Sequence, residues 1–339
     1  MKKLLIIFNL LFVSYCVSYA ETIDTTKISG KPLFIIFTNF HQGLSENAHE
    51  SNFDLKRAYI GYDFNLNNGF TAVIKLDIGS PDDNSQYSLI RRNAYFKNVG
   101  IGYSKNKLQV NFGIIDNQQH KIQEKFWNKR YIFKTVIDEY KFQSSADLGI
   151  NACYKFNPKF IVEAGMMNGE YLNLQNGFGK YIYNLGFNIT PAKQLTLKLH
   201  SSFTSKINDV VSGGVFIGYT AFNKLKIGLE YDCKYDIQEV NTFLLYAYSA
   251  NAAYDITNKL SVFARYDALC SNIPDNYTIP WNLAKNGTAI IAGAEYRVNE
   301  NFRLSLNYQD WYPMAANMNN ISYIYLNLEF GIFESYKRI

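Results

Sequence analysis

What most constrains this chain is a period of two that keeps returning. Phe70, Ala72, Ile74, Leu76 and Ile78 are apolar, with Thr71, Lys75, Asp77 and Gly79 between them. Ala58, Ile60, Tyr62 and Phe64 alternate with Arg57, Gly61 and Asp63, and Leu108, Val110, Phe112 and Ile114 with Lys107, Gln109, Asn111 and Gly113. The pattern recurs from Ala146 to Phe156, Leu195 to His200, Leu225 to Asp232 and Tyr323 to Phe330. Successive side chains of a strand point to opposite faces, so each run has one apolar face and one polar face.

The breaks between the runs are as regular as the runs. Tight turn signals stand at Asn67-Asn68-Gly69, Lys105-Asn106-Lys107, Asn157-Pro158-Lys159, Thr190-Pro191-Ala192, Asn223-Lys224, Thr257-Asn258-Lys259 and Asn299-Glu300-Asn301. Between neighbouring turns lie two strand-length patterns joined by a longer polar stretch. The long connections fall at 41–53, 79–90, 115–145, 167–179, 204–210, 232–241, 269–287 and 310–320. Seven short turns and eight long loops predict sixteen antiparallel strands, with both termini on the short-turn side. An even strand number, with short turns at one end and loops at the other, describes a transmembrane β-barrel of the bacterial outer membrane over residues 32–330. A sheet in lipid has to close, which requires the last strand to meet the first near Leu33 to Phe40. The last alternation ends on Phe330, leaving a short tail to Ile339.

Composition removes the rival classes. Charged residues make up 19% of the 339 and aromatics 16%, the reverse of a disordered chain. A net charge of +5 is too small for the basic face of a nucleic-acid binder, so no nucleic-acid partner is expected. Beyond the first twenty residues no apolar run approaches a membrane-spanning helix. Lys2 and Lys3, the apolar stretch Leu4 to Val13 and Ser18-Tyr19-Ala20 read as a signal peptide cleaved after Ala20, with 21–31 a short N-terminal segment. Cys153, Cys233 and Cys270 then remain, at most one disulfide. Tyr59, Tyr62, Phe64, Phe156, Phe160, Phe187, Tyr254, Phe302 and Trp311 stand near strand ends, where interfacial girdles form.

One connection breaks the rhythm. Between Ile115 and Ser145, Ile122, Phe126, Phe133, Val136 or Ile137, and Tyr140 recur near helical spacing. The same stretch gathers His120, Lys121, Lys125, Lys129, Arg130 and Lys134 against Glu124, Asp138 and Glu139. A loop this long and this apolar is expected to have a function. It reads as a partly helical third loop that folds into the barrel, docks its apolar side on the wall and narrows the pore. The other arrangement is a loop packed over the outer rim.

Phe53-Asp54-Leu55-Lys56-Arg57-Ala58-Tyr59-Ile60-Gly61-Tyr62, followed after a turn by Ala72-Val73-Ile74-Lys75-Leu76-Asp77, resembles the opening hairpins of the phosphate-selective porin O and P family. Asn93-Ala94-Tyr95-Phe96, Val110-Asn111-Phe112-Gly113, Ser144 to Gly149, Gly165 to Gly169 and Phe263-Ala264-Arg265-Tyr266-Asp267 are similar to its later strands. The resemblance implies a 16-stranded outer-membrane diffusion channel, a homotrimer in the better-known members, passing small hydrophilic solutes or anions, with a basic ladder behind anion selection. By parity the lumen-facing bases are Arg57, Lys75, Lys155, Lys198, Lys226, Arg265, Arg297 and Arg303. Asp63, Asp77, Asp147, Glu163, Glu230, Asp232, Asp267, Glu295 and Glu329 share those faces, so the expected lumen is wet and two-signed.

No catalytic chemistry stands out. His41, His49, His120 and His200 are dispersed, and neither a nucleophile elbow, a phosphate-binding glycine loop nor a zinc pattern occurs. Ser80-Pro81-Asp82-Asp83-Asn84 reads as a solvated loop, with a cation site as the alternative. No cofactor and no metal are expected. The sequence therefore points to a porin. A plugged barrel with an adhesive or structural role, and an outer-membrane enzyme, are the rival readings.

Overall fold

The computed structural model describes residues 28–79, 93–169, 181–205, 209–238 and 241–332. The signal peptide, the segment at 80–84 and the tail from 333 lie outside the described residues. Sixteen strands are formed. The first eight are β1 (Ser29–Gly43), β2 (Ser51–Asn67), β3 (Phe70–Gly79), β4 (Asn93–Lys105), β5 (Leu108–Asp116), β6 (Ala146–Asn157), β7 (Phe160–Met167) and β8 (Ile182–Ala192). The second eight are β9 (Leu195–Ser205), β10 (Asp209–Ala221), β11 (Leu225–Ile237), β12 (Thr242–Asp255), β13 (Leu260–Ser271), β14 (Gly287–Arg297), β15 (Phe302–Pro313) and β16 (Ile321–Ile332). Each pairs antiparallel with its sequence neighbours, and β1 pairs with β16 from Phe34↔Ile332 to Gly43↔Tyr323, so the sheet closes without an edge.

All seven short connections predicted from the turn signals are present, with one shift. The β8–β9 turn is Lys193-Gln194, because β8 runs on through Pro191 to Ala192 with an irregular register after Ile189. The β2–β3 turn shows why Asn67-Asn68-Gly69 was a strong signal: all three residues have positive φ, from 47° to 84°. Asparagine and glycine tolerate that region best. The barrel extends slightly past the expected 32–330, since β1 begins at Ser29 and β16 ends at Ile332.

The two faces divide as the parity demands. Leu148, Ile150, Tyr154, Phe112, Leu306 and Leu326 are exposed on the outer face. Asp77, Asn151, Lys198, Asp232, Asp267, Ser305 and Asn327 are buried toward the lumen. This polar-inside order suits a wall between lipid and water. Aromatic rows run along the outside near the short turns, as in Tyr154–Phe156–Phe160–Phe187 and Phe34–Phe330–Phe302. Tyr59 and Trp311 do not join that girdle. Tyr59 is 7% exposed and packs in the lumen against Phe37, and Trp311 faces inward against Tyr140. Each sits on the lumenal parity of its strand, which a reading by distance from the strand end overlooks. Among the described residues no helix is long and apolar enough to cross a membrane.

Candidate functional site

The third loop, 117–145, lies inside the barrel. Its base is pinned by Asn117 N–H donating to Ser145 O (3.0 Å) and Asn117 Nδ2 donating to Gln143 Oε1 (2.7 Å). A 3-10 turn, Gln118–His120, leads into helix α1 (Lys121–Trp127), and a second helix, α2 (Val136–Glu139), follows. The loop is partly helical, as its spacing suggested. Asn128 takes the left-handed conformation (φ 52°) and ends α1, and residues 128–135 form an irregular link. Trp127 Nε1 donates to Phe133 O (2.9 Å) across that link, and Arg130 ties Glu124 of α1 to Asp138 of α2 at 2.8 and 2.7 Å. Burial alone would raise the Asp138 carboxyl, but Arg130 together with His120, Lys134 and Lys97 outweighs it and holds the group well below the carboxylate range. Burial pushes His120 down to about 4, with Glu124 as its nearest carboxylate at 3.7 Å. Lys121 shows the opposite balance: burial disfavours its charge, yet Asp116 at 2.5 Å raises it above its ordinary value.

The loop docks on two apolar patches. Trp127, Tyr131 and Ile132 pack with Phe263 of β13, Ile291 of β14 and the inward face of β1 at Leu33, Ile35 and Phe37. Val136, Ile137 and Phe142 pack with Ala247 of β12 and Leu269 of β13. Phe126 meets Phe216 of β10 with ring centroids 5.3 Å apart. Gly218 makes room for that ring, since a Cβ there would come within 2.6 Å of it. Each large apolar side chain buried this way contributes about 1.5–3 kcal/mol.

Wall bases complete the docking by donating to loop carbonyls. Lys198 Nζ reaches Gln118 O (3.2 Å), Arg265 Nη1 reaches Lys134 O (2.8 Å), and Arg303 Nη1 reaches Asn128 O (2.9 Å). Each is also paired with wall carboxylates: Lys198 with Glu163, Arg265 with Asp267 (2.7 Å), and Arg303 with Glu329 and, at 3.6 Å, Glu295. Tyr131 and Tyr140 donate their hydroxyls to Glu295 (2.8 Å) and Asp267 (3.0 Å). Gln143 donates to Ser202 and Ser212. A buried charge is tolerated only when paired and hydrogen-bonded, and here the third partner is the loop backbone.

The side formed by β1–β5 is more open, although the loop also rests on β1 and is reached by Lys56 of β2. A cavity of about 480 Å³ lies between it and the loop. Lys75, Lys97, Lys121, Lys125, Arg130, Arg297 and Arg303 line it, with Asp116, Glu124, Glu300 and Glu329. A second cavity, of about 810 Å³, follows β1–β5 to the short-turn end, and Lys75 and Asp116 border both.

The thirteen bases singled out by sequence thus separate. Lys198, Arg265 and Arg303 hold the loop, and Arg57 is paired with Asp77 (3.2 Å) and donates to Tyr59 Oη (3.0 Å). Lys75 borders both cavities; Lys155, Lys226 and Arg297 lie near the short-turn ends of their strands, with Lys155 and Arg297 exposed. In the loop, Lys121, Lys125 and Arg130 face the smaller cavity, whereas Lys129 turns to Glu295 (3.8 Å) and Lys134 gives its carbonyl to Arg265. The sequence reading missed Lys56 and Lys97, and both are the extra residue of a β-bulge. β1 pairs Phe37 with Arg57 and Thr38 with Leu55, and β3 pairs Lys75 with Asn98 and Leu76 with Phe96. A bulge re-aims a side chain that strict alternation would place otherwise. Lys56 Nζ donates to Ile132 O (3.3 Å), and Lys97 donates to Ser145 Oγ.

No family model matches the sequence, and no curated protein matches it. Solved structures do. The outer-membrane OmpT of Vibrio cholerae superposes with a TM-score of 0.68 at 14% identity, over 92% of this chain and 100% of that one. The fold is that of the outer-membrane porins. The outer-membrane channel DcaP of Acinetobacter baumannii (TM-score 0.64, 11% identity, 92% of this chain and 100% of that) and an anion-selective porin from Comamonas acidovorans (0.64, 13%, 90% and 100%) share the porin fold with this chain.

Proposed function

We propose that this protein is a porin of the bacterial outer membrane, a passive channel for small hydrophilic solutes and ions. The observation that carries the reading is the asymmetric placement of the third loop: it is clamped to one part of the wall and leaves a charged, water-accessible cavity along β1–β5. An inward loop that narrows a wide barrel sets a size limit and brings fixed charge close to whatever passes. Around the narrower cavity seven bases stand against four carboxylates, which favours anions. The sequence resemblance to the phosphate-selective porin O and P family supports the same preference and the homotrimer, and Lys2, Lys3, the apolar Leu4 to Val13 and Ser18-Tyr19-Ala20 support export with cleavage after Ala20.

Planar-bilayer recording tests this reading. Reconstituted protein gives discrete conductance steps, and a KCl gradient gives a reversal potential on the chloride side. Liposome swelling with sugars of graded size reports the width. A silent bilayer together with sugar-impermeable liposomes would leave the barrel as a plugged wall.

A further inference from the structure

The cavity between the loop and β1–β5 brings apolar and cationic side chains into one lining. One side is apolar: the patch of Leu33, Ile35 and Phe37 on β1, with Tyr59 on β2, lies partly under Trp127, Tyr131 and Ile132 of the loop, and its free edge borders the cavity. Lumenal positions elsewhere on the barrel are mostly polar. Opposite and beside this stripe stand the lysines. Lys75 lies over the Tyr59 ring, 5.8 Å from its centroid, so the apolar and cationic parts of the lining adjoin. Lys97 is 6% exposed and bonded to the neutral Ser145 hydroxyl, and among the described residues no carboxylate pairs with it. Its neighbour Asp116 is committed to Lys121 at 2.5 Å and to Asn98 at 3.0 Å. Asp116 and Asp138 act on the Lys97 ammonium without forming an ion pair with it, so an anion entering the cavity would be its first directly paired counter-charge.

We infer that this cavity is a binding subsite for organic anions with an apolar body, such as aromatic or branched-alkyl carboxylates, the carboxylate held by Lys97 and Lys75 and the body lying on Leu33, Ile35 and Tyr59. The inference rests on the porin reading and names the solute class it favours. A volume of about 480 Å³ is in the range of small-molecule sites and holds one such molecule. Neither feature would suffice alone. Lysines without the stripe would treat acetate and benzoate alike, and the stripe without lysines would bind uncharged rings.

Equilibrium dialysis of labelled benzoate against the full chain in detergent reads the site directly, with acetate and benzyl alcohol as competitors. Saturable binding of one benzoate per chain is expected, with acetate and benzyl alcohol each competing at least tenfold less well. Lys97→Gln weakens benzoate at least tenfold, while Lys159→Gln, in the β6–β7 turn, leaves it unchanged. Circular dichroism of both variants confirms the barrel. Absent or unsaturable binding, competition by acetate or benzyl alcohol equal to benzoate, or a folded Lys97→Gln variant that binds normally overturns the inference. Conductance in KCl is recorded in parallel. Conductance without benzoate binding defeats this inference alone, and binding without conductance defeats the porin reading alone.

Discussion

Inward-pointing bases occur on both sides of this barrel, and they do different work. On β9, β13 and β15, Lys198, Arg265 and Arg303 each have a wall carboxylate and a loop carbonyl as partners. Their charge is neutralised and their donors hold the loop in place. On β3 and β4, Lys75 and Lys97 have no paired carboxylate among the described residues, and they border open space. A count of lumenal bases would treat these groups as one ladder. The partner of each base decides whether it shapes the pore or acts on what passes through it.

The largest expected effect comes from abolishing the difference between the two sides. Deleting residues 119–141 removes the loop from both, and single-channel conductance should rise severalfold. Unchanged conductance would mean that the loop does not limit flow. Trp127→Ala weakens the docking of the loop without removing it. It empties a site buried between Phe263 and the loop, where such truncations cost about 3–5 kcal/mol. The expected outcome is a noisy, intermittently wider channel and tryptic cleavage within Lys121–Lys134 that the native protein resists.

Acid should loosen the loop from its base. His120 is 1% exposed and titrates at about 4 when docked, against 6.5 ordinarily, because burial disfavours the imidazolium. Glu124 opposes that shift, Lys121 and Arg130 add to it, and Asp138 opposes it from α2. Docking therefore favours the neutral ring. Its full strength is present above about pH 6.5 and is lost as the pH falls toward 4, by about 3 kcal/mol in all. Current fluctuations should grow over that window in the native channel and stay flat in a His120→Gln variant. The smallest effect concerns charge alone. Lys75→Gln should move the KCl reversal potential toward the cation side by more than Lys155→Gln does at the exposed rim, and equal shifts would erase the distinction between the cavity and the mouth.

How much of this was legible in the sequence follows from what alternation can encode. Strand faces and turns are local, so Asn67-Asn68-Gly69 and the run from Phe70 to Ile78 could be read without the fold. The closure of β1 on β16 followed from the cost of an open edge in lipid. What was not legible depends on departures from period two or on distant partners. Lys56 and Lys97 sit on bulges, which strict parity steps over. Tyr131 and Ile132 lie in the irregular link between α1 and α2, outside any helical spacing, yet they are among the most buried residues of the loop. Arg265 looked like a ladder residue because Lys134, whose carbonyl it holds, is far away in sequence. The apolar residues of β1 carried a signal that alternation discards, since Leu33, Ile35 and Phe37, like Phe216, Phe263, Leu269 and Ile291, are apolar on the mostly polar lumenal face, where the loop docks.

The central claim is that solutes pass along β1–β5 and not behind the loop. Cysteine accessibility tests it most directly, in a Cys153→Ser background that removes the native thiol on a lumenal position. One variant carries Asn111→Cys, beside the larger cavity, and the other Ser249→Cys, on the clamped side of β12. A bulky charged thiol reagent added during recording should cut the current in one step for Asn111→Cys and leave Ser249→Cys unaffected. Block at Ser249→Cys with none at Asn111→Cys, or equal block at both, would contradict the account.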